Sequence, residues 1–374
     1  MRVLMVIQSY LPVLGGAQRQ VQRLGPLLEA EGFEVIVVTR RPPGTPLREA
    51  QPGIQVRRVP GPDTGPGGSL NFTARAAREI VRLRPDVVHV HDLLSPATAA
   101  LLGTALRPAP VAAKVLSTGP GGDVDRLLHK PAGAARLRLL ARRFAAFVSL
   151  SADVEAELRE HGVPADRVWR IPNGVDTGRF HPAASAGERR AGRAALGLPA
   201  DDQPLWLYCG RFAPVKRVDL LVEALVDAPG RLLLVGEGGE EDALRRLVTE
   251  RGLSDRVTLR PVVEDPAPLY RAADAYLSAS TTEGMSGSVL EAMATAVPVV
   301  AAPASGMDEL LGEGAGVLLA DGAPSTFAAA LGALAADPDR AAAVGGIARE
   351  RAVADYSLQS TATQLARMYR AIAR

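Results

Sequence analysis

Short apolar runs alternate with longer segments of helical periodicity through the first half of the chain. Strand-like runs are predicted at residues 2–8, 34–39, 54–59, 86–90, 111–117, 146–150 and 168–171. Helical segments are predicted between them, at residues 16–32, 70–84, 95–106 and 151–162. Strands that alternate with helices in this way indicate a parallel sheet with helices covering both faces.

A second alternating series begins at Leu205, after a stretch rich in Ala, Gly, Arg and Pro whose start we interpret as the domain linker. Its strands are predicted at residues 205–210, 231–236, 256–260, 274–278, 297–301 and 316–319. A chain of 374 residues exceeds what one hydrophobic core usually organises, which favours two domains. Two doubly wound domains in tandem place a ligand cleft at the carboxyl ends of their strands.

Composition places the chain among ordinary globular proteins, with 47% apolar and 22% charged residues. No apolar run approaches the roughly 20 residues that span a bilayer, and Met1–Gln8 reads as a first buried strand rather than a signal peptide. The single Cys209 excludes an internal disulfide, and its apolar surroundings indicate a buried structural thiol. We therefore expect a cytoplasmic protein.

Charge is distributed unevenly along the chain. Residues 1–150 hold 20 Lys and Arg against 10 Asp and Glu, a balance of +10, whereas the remainder holds 23 against 31, a balance of −8. A basic domain suggests an anionic partner: a membrane surface, a phosphorylated acceptor or nucleic acid. Residues 133–150 place four arginines among Leu and Phe, which is typical of a helix lying on anionic lipid or, the interpretation we favour, of a helix packed on its sheet with snorkelling arginines.

The richest candidate site lies between Thr281 and Val300, where a strand-like run gives way to a loop and then a helix. Glu283 is expected just before this helix, and Glu291 about two turns along it. Glycines at 284 and 287 let the backbone approach a ligand closely, and the free amides of the first helical turn favour an anion. Carboxylates suit sugar hydroxyls and bare amides suit phosphate, although two glutamates at this spacing also fit a solvated surface helix.

Two cations follow the strand at 205–210. Arg211 offers a fork of donors and Lys216 a point charge, a pairing suited to a diphosphate. Two cations beside a loop also occur often by chance. The pair supports a diphosphate site only because it precedes Glu283 and Glu291 in the chain.

The first half offers weaker signals. Gly15 and Gly16 at a helix start could hold a phosphate, but the long loop before them departs from the dinucleotide fingerprint and disfavours an NAD enzyme. His89 and His91 alternate onto one face of a strand, which a metal would accept, yet no further ligands accompany them and structural histidines are favoured. His91 nevertheless ends its strand, where cleft residues belong. The Asp-x-Asp pattern at 123–125 is short enough to arise by chance.

Several of these segments together resemble one family, the retaining nucleotide-sugar-dependent glycosyltransferases of family 4. The matching motifs are Glu-x7-Glu from Glu283 to Glu291, Gly-Arg-x4-Lys from Gly210 to Lys216, a glycine-rich turn at Gly236, Pro-x-x-Gly-Gly from Pro12 to Gly16, and Pro-Asn-Gly-Val-Asp from Pro172 to Asp176. The resemblance covers nearly the whole chain. It implies the α/β GT-B fold, two doubly wound Rossmann-like domains that face a central cleft.

We expect residues 1–180 to form an N-terminal acceptor-side domain, residues 181–356 to form the domain that binds the nucleotide sugar, and a helix at about 357–374 to pack back on the first domain. The chain departs from the family at Thr118–Asp123, which lacks the histidine that many members carry near the transferred sugar. The role of this loop therefore stays open.

The resemblance also implies roles for individual residues. Arg211 and Lys216 would hold the diphosphate, Glu283 the sugar hydroxyls and Glu291 the ribose, so the expected catalytic residues are Glu283, Arg211 and Lys216. The expected substrate-binding residues are Gly15, Gly16, His91, Gly236, Val262, Gly284, Met285, Ser286, Gly287, Ser288, Val289, Leu290 and Glu291.

The expected partners are a nucleoside-diphosphate sugar, which is the co-substrate, and a lipid-linked or otherwise anionic acceptor. We expect no metal, no other cofactor and no nucleic acid, with peripheral contact at the inner face of the membrane.

Two other functions use the same residues. A nucleotide-sugar epimerase of this architecture would need an acid/base pair at the sugar, and the first half shows no clear candidate pair. A non-catalytic protein that binds nucleotide sugars would need only the binding residues. Product analysis with nucleotide sugars separates the three.

Overall fold

The computed structural model describes residues 1–13, 15–61, 65–198 and 202–374. The chain forms two compact units. The first comprises Met1–Asn173 together with Leu358–Arg374, and the second comprises Gly174–Ser357. Each unit is built around its own sheet.

The strands are short runs rich in Val, Leu, Ile and Ala, and most are buried on both faces, as in a parallel sheet between helices. They are β1 (Arg2–Ile7), β2 (Glu34–Arg40), β3 (Arg48–Gln51), β4 (Ile54–Val59), β5 (Val87–His91), β6 (Val111–Lys114), β7 (Ala146–Ser149), β8 (Val168–Arg170), β9 (Leu205–Cys209), β10 (Arg231–Val235), β11 (Val257–Arg260), β12 (Ala275–Ser278), β13 (Val299–Ala301) and β14 (Val317–Leu318).

Helices connect most of these strands. They are α1 (Gly16–Ala30), α2 (Gly65–Leu83), α3 (Ser95–Leu106), α4 (Asp123–Leu128), α5 (Gly133–Arg143), α6 (Ala152–Glu160), α7 (Ala186–Ala195), α8 (Val218–Ala224), α9 (Glu241–Glu250), α10 (Ala267–Ala272), α11 (Gly287–Ala294), α12 (Met307–Leu311), α13 (Pro324–Ala336), α14 (Pro338–Asp355) and α15 (Leu358–Ile372). No helix in the part of the chain that the structure describes is long and apolar enough to cross a bilayer.

The first unit has an eight-stranded sheet in the order β3-β4-β2-β1-β5-β6-β7-β8. Its strands pair in parallel except for β3, which runs antiparallel to β4. Helices α2, α3, α5 and α6 cover one face over a core that includes Phe72, Ile80 and Phe144. Helices α1 and α15 cover the other face over Leu24 and Tyr369.

The second unit has a six-stranded parallel sheet in the order β11-β10-β9-β12-β13-β14. Helices α8, α9 and α13 pack around a core that includes Phe212, Leu244 and Phe327. Helix α11 packs against β12 and β13 and contacts α10 and α14.

Each sheet has a topological switch point, where the chain stops adding strands on one side of its first strand and continues on the other side. In the first unit the chain passes from β1 outward to β4 and then returns to β5 beside β1. In the second unit it passes from β9 outward to β11 and then returns to β12 beside β9. Ligands of open α/β sheets bind at such switch points, outside the carboxyl ends of the strands.

The strands predicted from the sequence are confirmed to within a few residues. The sequence analysis did not predict the edge strand β3, helix α4, or helix α7 in the stretch that precedes Leu205, and among the helices of the second unit it placed only α11. The amphipathic segment after residue 133 divides into helix α5, which buries Leu137 and Leu140, and the buried strand β7. This is the helix-on-sheet arrangement that the sequence analysis favoured.

Candidate functional site

The loops that follow β9 and β12 leave the second sheet side by side, because these two strands pair at the switch point. The loop after β9 carries Arg211 and Lys216, and the loop after β12 carries Glu283. The amide of Thr281 donates to the carbonyl of Val215 at 3.0 Å and ties the two loops together. Residues predicted from separate motifs therefore converge at the position where an α/β sheet binds ligands.

Lys216 and Glu283 form an ion pair, with 2.5 Å between Nζ and Oε1. Their side chains are 19% and 12% exposed, so the pair is partly withdrawn from water. An ammonium has three donors, and two remain for a ligand once Glu283 takes one.

Arg211 lies two residues after the end of β9 and five residues before Lys216, in the same loop. Its side chain is exposed. The hydroxyl of Tyr208 donates to the carbonyl of Arg211 at 2.8 Å and fixes the backbone there. No ion pair of its guanidinium occurs among the described residues. Its donors are therefore available to an anion beside Lys216.

Helix α11 begins at Gly287 and presents its first turn beside these loops. Ser286 caps the helix, its Oγ accepting from the amide of Val289 at 3.5 Å. Gly287 is exposed, and a β-carbon built on it would meet nothing within 4 Å, so the backbone here can be approached closely.

The neighbouring predicted residues contribute through their backbone or through packing. The side chains of Met285, Val289 and Leu290 are buried in the core, and Gly284 is buried as well. Ser288 donates from its Oγ to the carbonyl of Cys209 at 2.9 Å, which pins the helix to the end of β9.

Glu291 lies one turn further along α11 and is only 6% exposed. Its Oε2 accepts a hydrogen bond from the hydroxyl of Tyr270 at 3.1 Å. Burial, followed by the charge of Glu291, raises the pKa of Tyr270 well above its usual value, so the tyrosine stays a donor. No sequence motif points to this partner, because Tyr270 lies in a different helix, α10.

Gly236 directly follows β10 and begins a turn whose backbone touches the loop after β9. A β-carbon on Gly236 would lie 1.9 Å from the carbonyl oxygen of Gly210, so only glycine fits. The amide of Phe212 donates to the carbonyl of Glu237 at 2.8 Å. This turn therefore holds the backbone around Arg211. Val262 follows β11 and is 38% exposed, two strands away from β9.

The first unit places Gly15, Gly16 and His91 around its own switch point. Gly15 precedes α1, which begins with the exposed Gly16, and His91 ends β5 beside β1. Gln18 donates from Nε2 to the Oγ of Ser9 at 2.9 Å and closes the loop that precedes the helix.

His89 and His91 are buried and stacked, with 4.6 Å between their ring centroids. His89 Nδ1 lies 2.6 Å from the hydroxyl of Tyr369 on α15, which gives it a structural partner. Burial, followed by the charge of Lys114, lowers the pKa of His89 to about 3. The pKa of His91 is also well below its usual value, chiefly because of burial. Both imidazoles are therefore neutral near pH 7.

Lys114, which sequence reasoning missed, lies opposite His91 on β6. Its Nζ donates to Oδ1 of Asn173 at 2.8 Å, and burial lowers its pKa to about 8. A single lysine in an Ala-rich strand carries no signal that would single it out.

Hydrogen bonds with β3 and β4 hold the loop between β1 and α1. Arg58 donates from Nη2 to the carbonyl of Leu11 at 2.9 Å and pairs through Nη1 with Glu49 at 2.7 Å. Tyr10 donates to Gln51 at 3.2 Å, and Gln51 donates to Glu49 at 2.6 Å. The edge strand β3 is thus bonded to the loop that leads to Gly15.

The Asp-x-Asp pattern has a structural role. Asp123 accepts from the amide of Leu116 at 2.6 Å and pairs with Arg126, while Asp125 accepts from the amide of Gly121 at 2.9 Å. Across the described ranges, no group of three or more His, Cys, Asp or Glu side chains is placed to hold a metal ion.

Comparison with known proteins assigns the family. Residues 14–179 match the model of Glycosyltransferase Family 4, and residues 203–337 match the model of Glycosyl transferases group 1. A D-inositol 3-phosphate glycosyltransferase from Nocardia farcinica is 34% identical over 393 residues, covering 96% of this chain and 85% of that protein. The chain belongs to the family 4 glycosyltransferases. Another relative of the same name, from Kineococcus radiotolerans, is 34% identical over 385 residues, with 90% and 86% covered.

Solved structures show that this glycosyltransferase has the GT-B fold. Sucrose-phosphate synthase from Thermosynechococcus elongatus aligns with a TM-score of 0.84 at 26% identity, covering 99% of this chain and 98% of that one. Anabaena HepE in complex with UDP-glucose aligns with a TM-score of 0.80 at 20% identity, covering 99% and 100%. The predicted family, fold class and enzyme class are confirmed.

Proposed function

We propose that this glycosyltransferase moves a sugar from a nucleoside-diphosphate sugar to an acceptor hydroxyl with retention of the anomeric configuration. The observation that carries the proposal is the Lys216–Glu283 pair beside the exposed Arg211 at the switch point of the second sheet. Cations and a carboxylate at one point can bind the two parts of such a donor, its diphosphate and its sugar.

The difficult step is departure of the nucleoside diphosphate from the anomeric carbon. Arg211 and Lys216 would neutralise the charge that develops on the diphosphate, and the amides at the start of α11 would add further donors. These fixed charges supply what a metal ion supplies in other transferases, so we expect turnover in the presence of EDTA.

Glu283 would accept hydrogen bonds from the sugar hydroxyls, and Glu291 from the ribose. The contact with Lys216 lowers the nucleophilicity of Glu283, which suits a carboxylate that orients the sugar rather than one that attacks it. Retention would then follow if the acceptor attacks from the face that the diphosphate leaves.

The acceptor is proposed to be anionic, either phosphorylated or lipid-linked. The relatives from Nocardia and Kineococcus are named for D-inositol 3-phosphate, a phosphorylated polyol. The balance of +10 over residues 1–150 supports an anionic acceptor on the first unit.

A donor and acceptor panel tests the proposal. The protein is incubated with UDP-, GDP- and ADP-sugars, with inositol 3-phosphate as the first acceptor, and products are identified by mass spectrometry and by NMR of the anomeric proton. Glycosylated acceptor with the donor's configuration supports the proposal. An altered donor sugar indicates an epimerase, binding without product indicates a binding protein, and a product of inverted configuration contradicts retention.

A further inference from the structure

A cavity of about 330 Å³ lies at the surface of the first unit, lined by Arg138, Ala141, Arg142, His161, Gly162, Pro164 and Arg167. Four of these seven residues carry basic side chains and none carries a carboxylate. The cavity lies between the end of α5 and the segment that joins α6 to β8.

The cavity lies at the amino ends of the strands, whereas the switch point lies at their carboxyl ends. Helix α5 ends just before β7 begins at Ala146, and α6 ends before β8 begins at Val168, so these residues precede the amino ends of their strands. Gly15 instead follows the carboxyl end of β1, and His91 is the last residue of β5. Because all these strands are parallel, the cavity is separate from the region proposed for the acceptor.

The arrangement directs several donors to one place. Arg138 and Arg142 are four residues apart on α5 and therefore share a face of the helix. Both are exposed, and no ion pair of either occurs within the described ranges. An anion that enters the cavity would meet guanidinium groups that have no competing carboxylate.

Helix termini offer a simpler explanation for basic residues here, since α5 and α6 both end at the cavity. The C-terminus of a helix carries a partial charge of about −0.5. Arg167 already satisfies the end of α5, because its Nη1 donates to the carbonyls of Ala141, Arg142 and Phe144 at 2.9, 3.1 and 3.2 Å. Arg138 and Arg142 therefore add positive charge beyond what the end of their own helix, α5, requires.

We propose that this cavity binds a phosphate group, held by Arg138 and Arg142 and flanked by His161 and the preorganised Arg167. A guanidinium matches a phosphate through paired donors, and two of them on one helix face provide a fork on either side. The phosphate could belong to a soluble phosphate ester or to a lipid headgroup, and the exposed Leu139 next to Arg138 is the reason to test the second source.

Calorimetric titration of the full chain with inorganic phosphate is the first test. We expect the double variant Arg138→Gln/Arg142→Gln to bind phosphate at least tenfold more weakly than the wild type. Arg143→Gln is the matched control, because Arg143 is an exposed arginine of the same helix that does not line the cavity. Arg167 is left unchanged, since its loss would uncap α5.

Phosphate can also bind at Arg211 and Lys216, so the Arg211→Ala variant is titrated in parallel. The proposal predicts that phosphate binding by the cavity survives in Arg211→Ala and is weakened at least tenfold in the double variant. If the double variant folds poorly, as judged by circular dichroism, Arg142→Gln replaces it, because this single exposed change leaves the helix intact.

Cosedimentation with vesicles identifies the source of the phosphate. Sedimentation with phosphatidylglycerol vesicles at low salt, absent with phosphatidylcholine and weakened in the double variant, indicates a lipid headgroup. Phosphate binding without vesicle binding indicates a soluble ester. If the double variant matches Arg143→Gln in both assays, or if all phosphate binding is lost in Arg211→Ala, the proposal is wrong.

Discussion

Tyr270 donates a hydrogen bond to Glu291 at 3.1 Å, and both side chains are buried. This contact fixes one carboxylate oxygen of Glu291 toward the protein. The side chain is thereby held in one orientation on α11, about two turns after the loop that carries Glu283. Two glutamates of one motif therefore have different surroundings, since Glu283 pairs with a lysine and Glu291 with a tyrosine.

We expect these surroundings to give the two glutamates different roles. Glu291→Gln should weaken binding of the free nucleoside diphosphate, because its proposed contact is with the ribose. Glu283→Gln should lower kcat more than it weakens that binding, because its proposed contact is with the transferred sugar. Calorimetry with the nucleotide selected by the donor panel, together with steady-state kinetics, measures both quantities.

Tyr270→Phe is the control for Glu291. It keeps the carboxylate but removes the hydroxyl that donates to Oε2, and losing a hydrogen bond to a buried charged group costs about 1–3 kcal/mol of stability. A variant that loses stability but keeps nucleotide affinity would show that the tyrosine only supports the fold. If Glu283→Gln weakens nucleotide binding more than Glu291→Gln, the two assigned roles are exchanged.

Lys216→Ala and Arg211→Ala should each lower kcat/KM for transfer at least a hundredfold while the protein stays folded. Under the proposed assignment each cation stabilises charge that develops on the diphosphate, and removing one such donor from an enzyme site costs roughly 2–4 kcal/mol. Released nucleoside diphosphate in a coupled assay measures the rate.

Arg217→Gln is the matched control for these cations. Arg217 is adjacent to Lys216 but pairs with Asp219 at 3.1 Å. Its loss should change transfer less than threefold. Near-wild-type turnover in both Lys216→Ala and Arg211→Ala would contradict the diphosphate assignment.

The sequence predicts those elements of the fold whose residues follow a periodic apolar pattern. β1 consists of one apolar run, and its bounds follow directly. β3 has the sequence Arg-Glu-Ala-Gln, with no large apolar residue, because an antiparallel edge strand is partly exposed. Local pattern could not find it, since its stabilising partners are in β4 and in the loop after β1.

Helix α7 was missed for a related reason. It is exposed except for Arg193, which donates to the carbonyl of Ala272 at 2.9 Å and pairs with Asp274 at 2.5 Å. The partners are about 80 residues away in the sequence, and a pair at that separation has no local signature. The site residues were found because their motifs resemble a family, whereas Tyr270, Lys114 and Arg58 belong to no such motif.

Arg58→Met should destabilise the first unit by about 2–4 kcal/mol and raise KM for the acceptor. The substitution removes the hydrogen bonds that the buried guanidinium donates to the carbonyls of Leu11 and Pro46, together with its pair with Glu49, and hydrogen bonds of a charged buried group are costly to lose. Among the described residues, the loop toward Gly15 would lose one of its two attachments to the sheet edge and keep only the hydrogen bond from Tyr10 to Gln51. Urea unfolding and acceptor kinetics check the two effects.

Arg48→Met is the control for Arg58. Arg48 lies on β3, is exposed, and loses the same charge without the buried contacts. We expect its stability to stay within about 0.5 kcal/mol of the wild type, as is usual for surface changes. Equal destabilisation by both variants would assign the effect to charge rather than to the contacts of Arg58.

The buried histidines predict how stability depends on pH. In the unfolded chain a histidine takes up a proton below its usual pKa of 6.5, whereas burial keeps His91 neutral in the folded protein to much lower pH. The unfolded state therefore binds more protons, and stability falls as the pH falls below about 6.5. Asp92 acts in the opposite direction, because burial raises its pKa to about 7 and its contribution to stability falls as the pH rises.

Substitution of His91 isolates its contribution to the pH dependence of stability from that of Asp92. His91→Phe keeps an aromatic ring against His89 and removes one titrating group whose ring nitrogens have no hydrogen-bond partner among the described residues. Between pH 7.5 and pH 5 the wild type should lose about 2 kcal/mol more free energy of unfolding than His91→Phe does. Urea unfolding at both pH values measures this difference. An unchanged slope in His91→Phe would show that His91 binds its proton in the folded state.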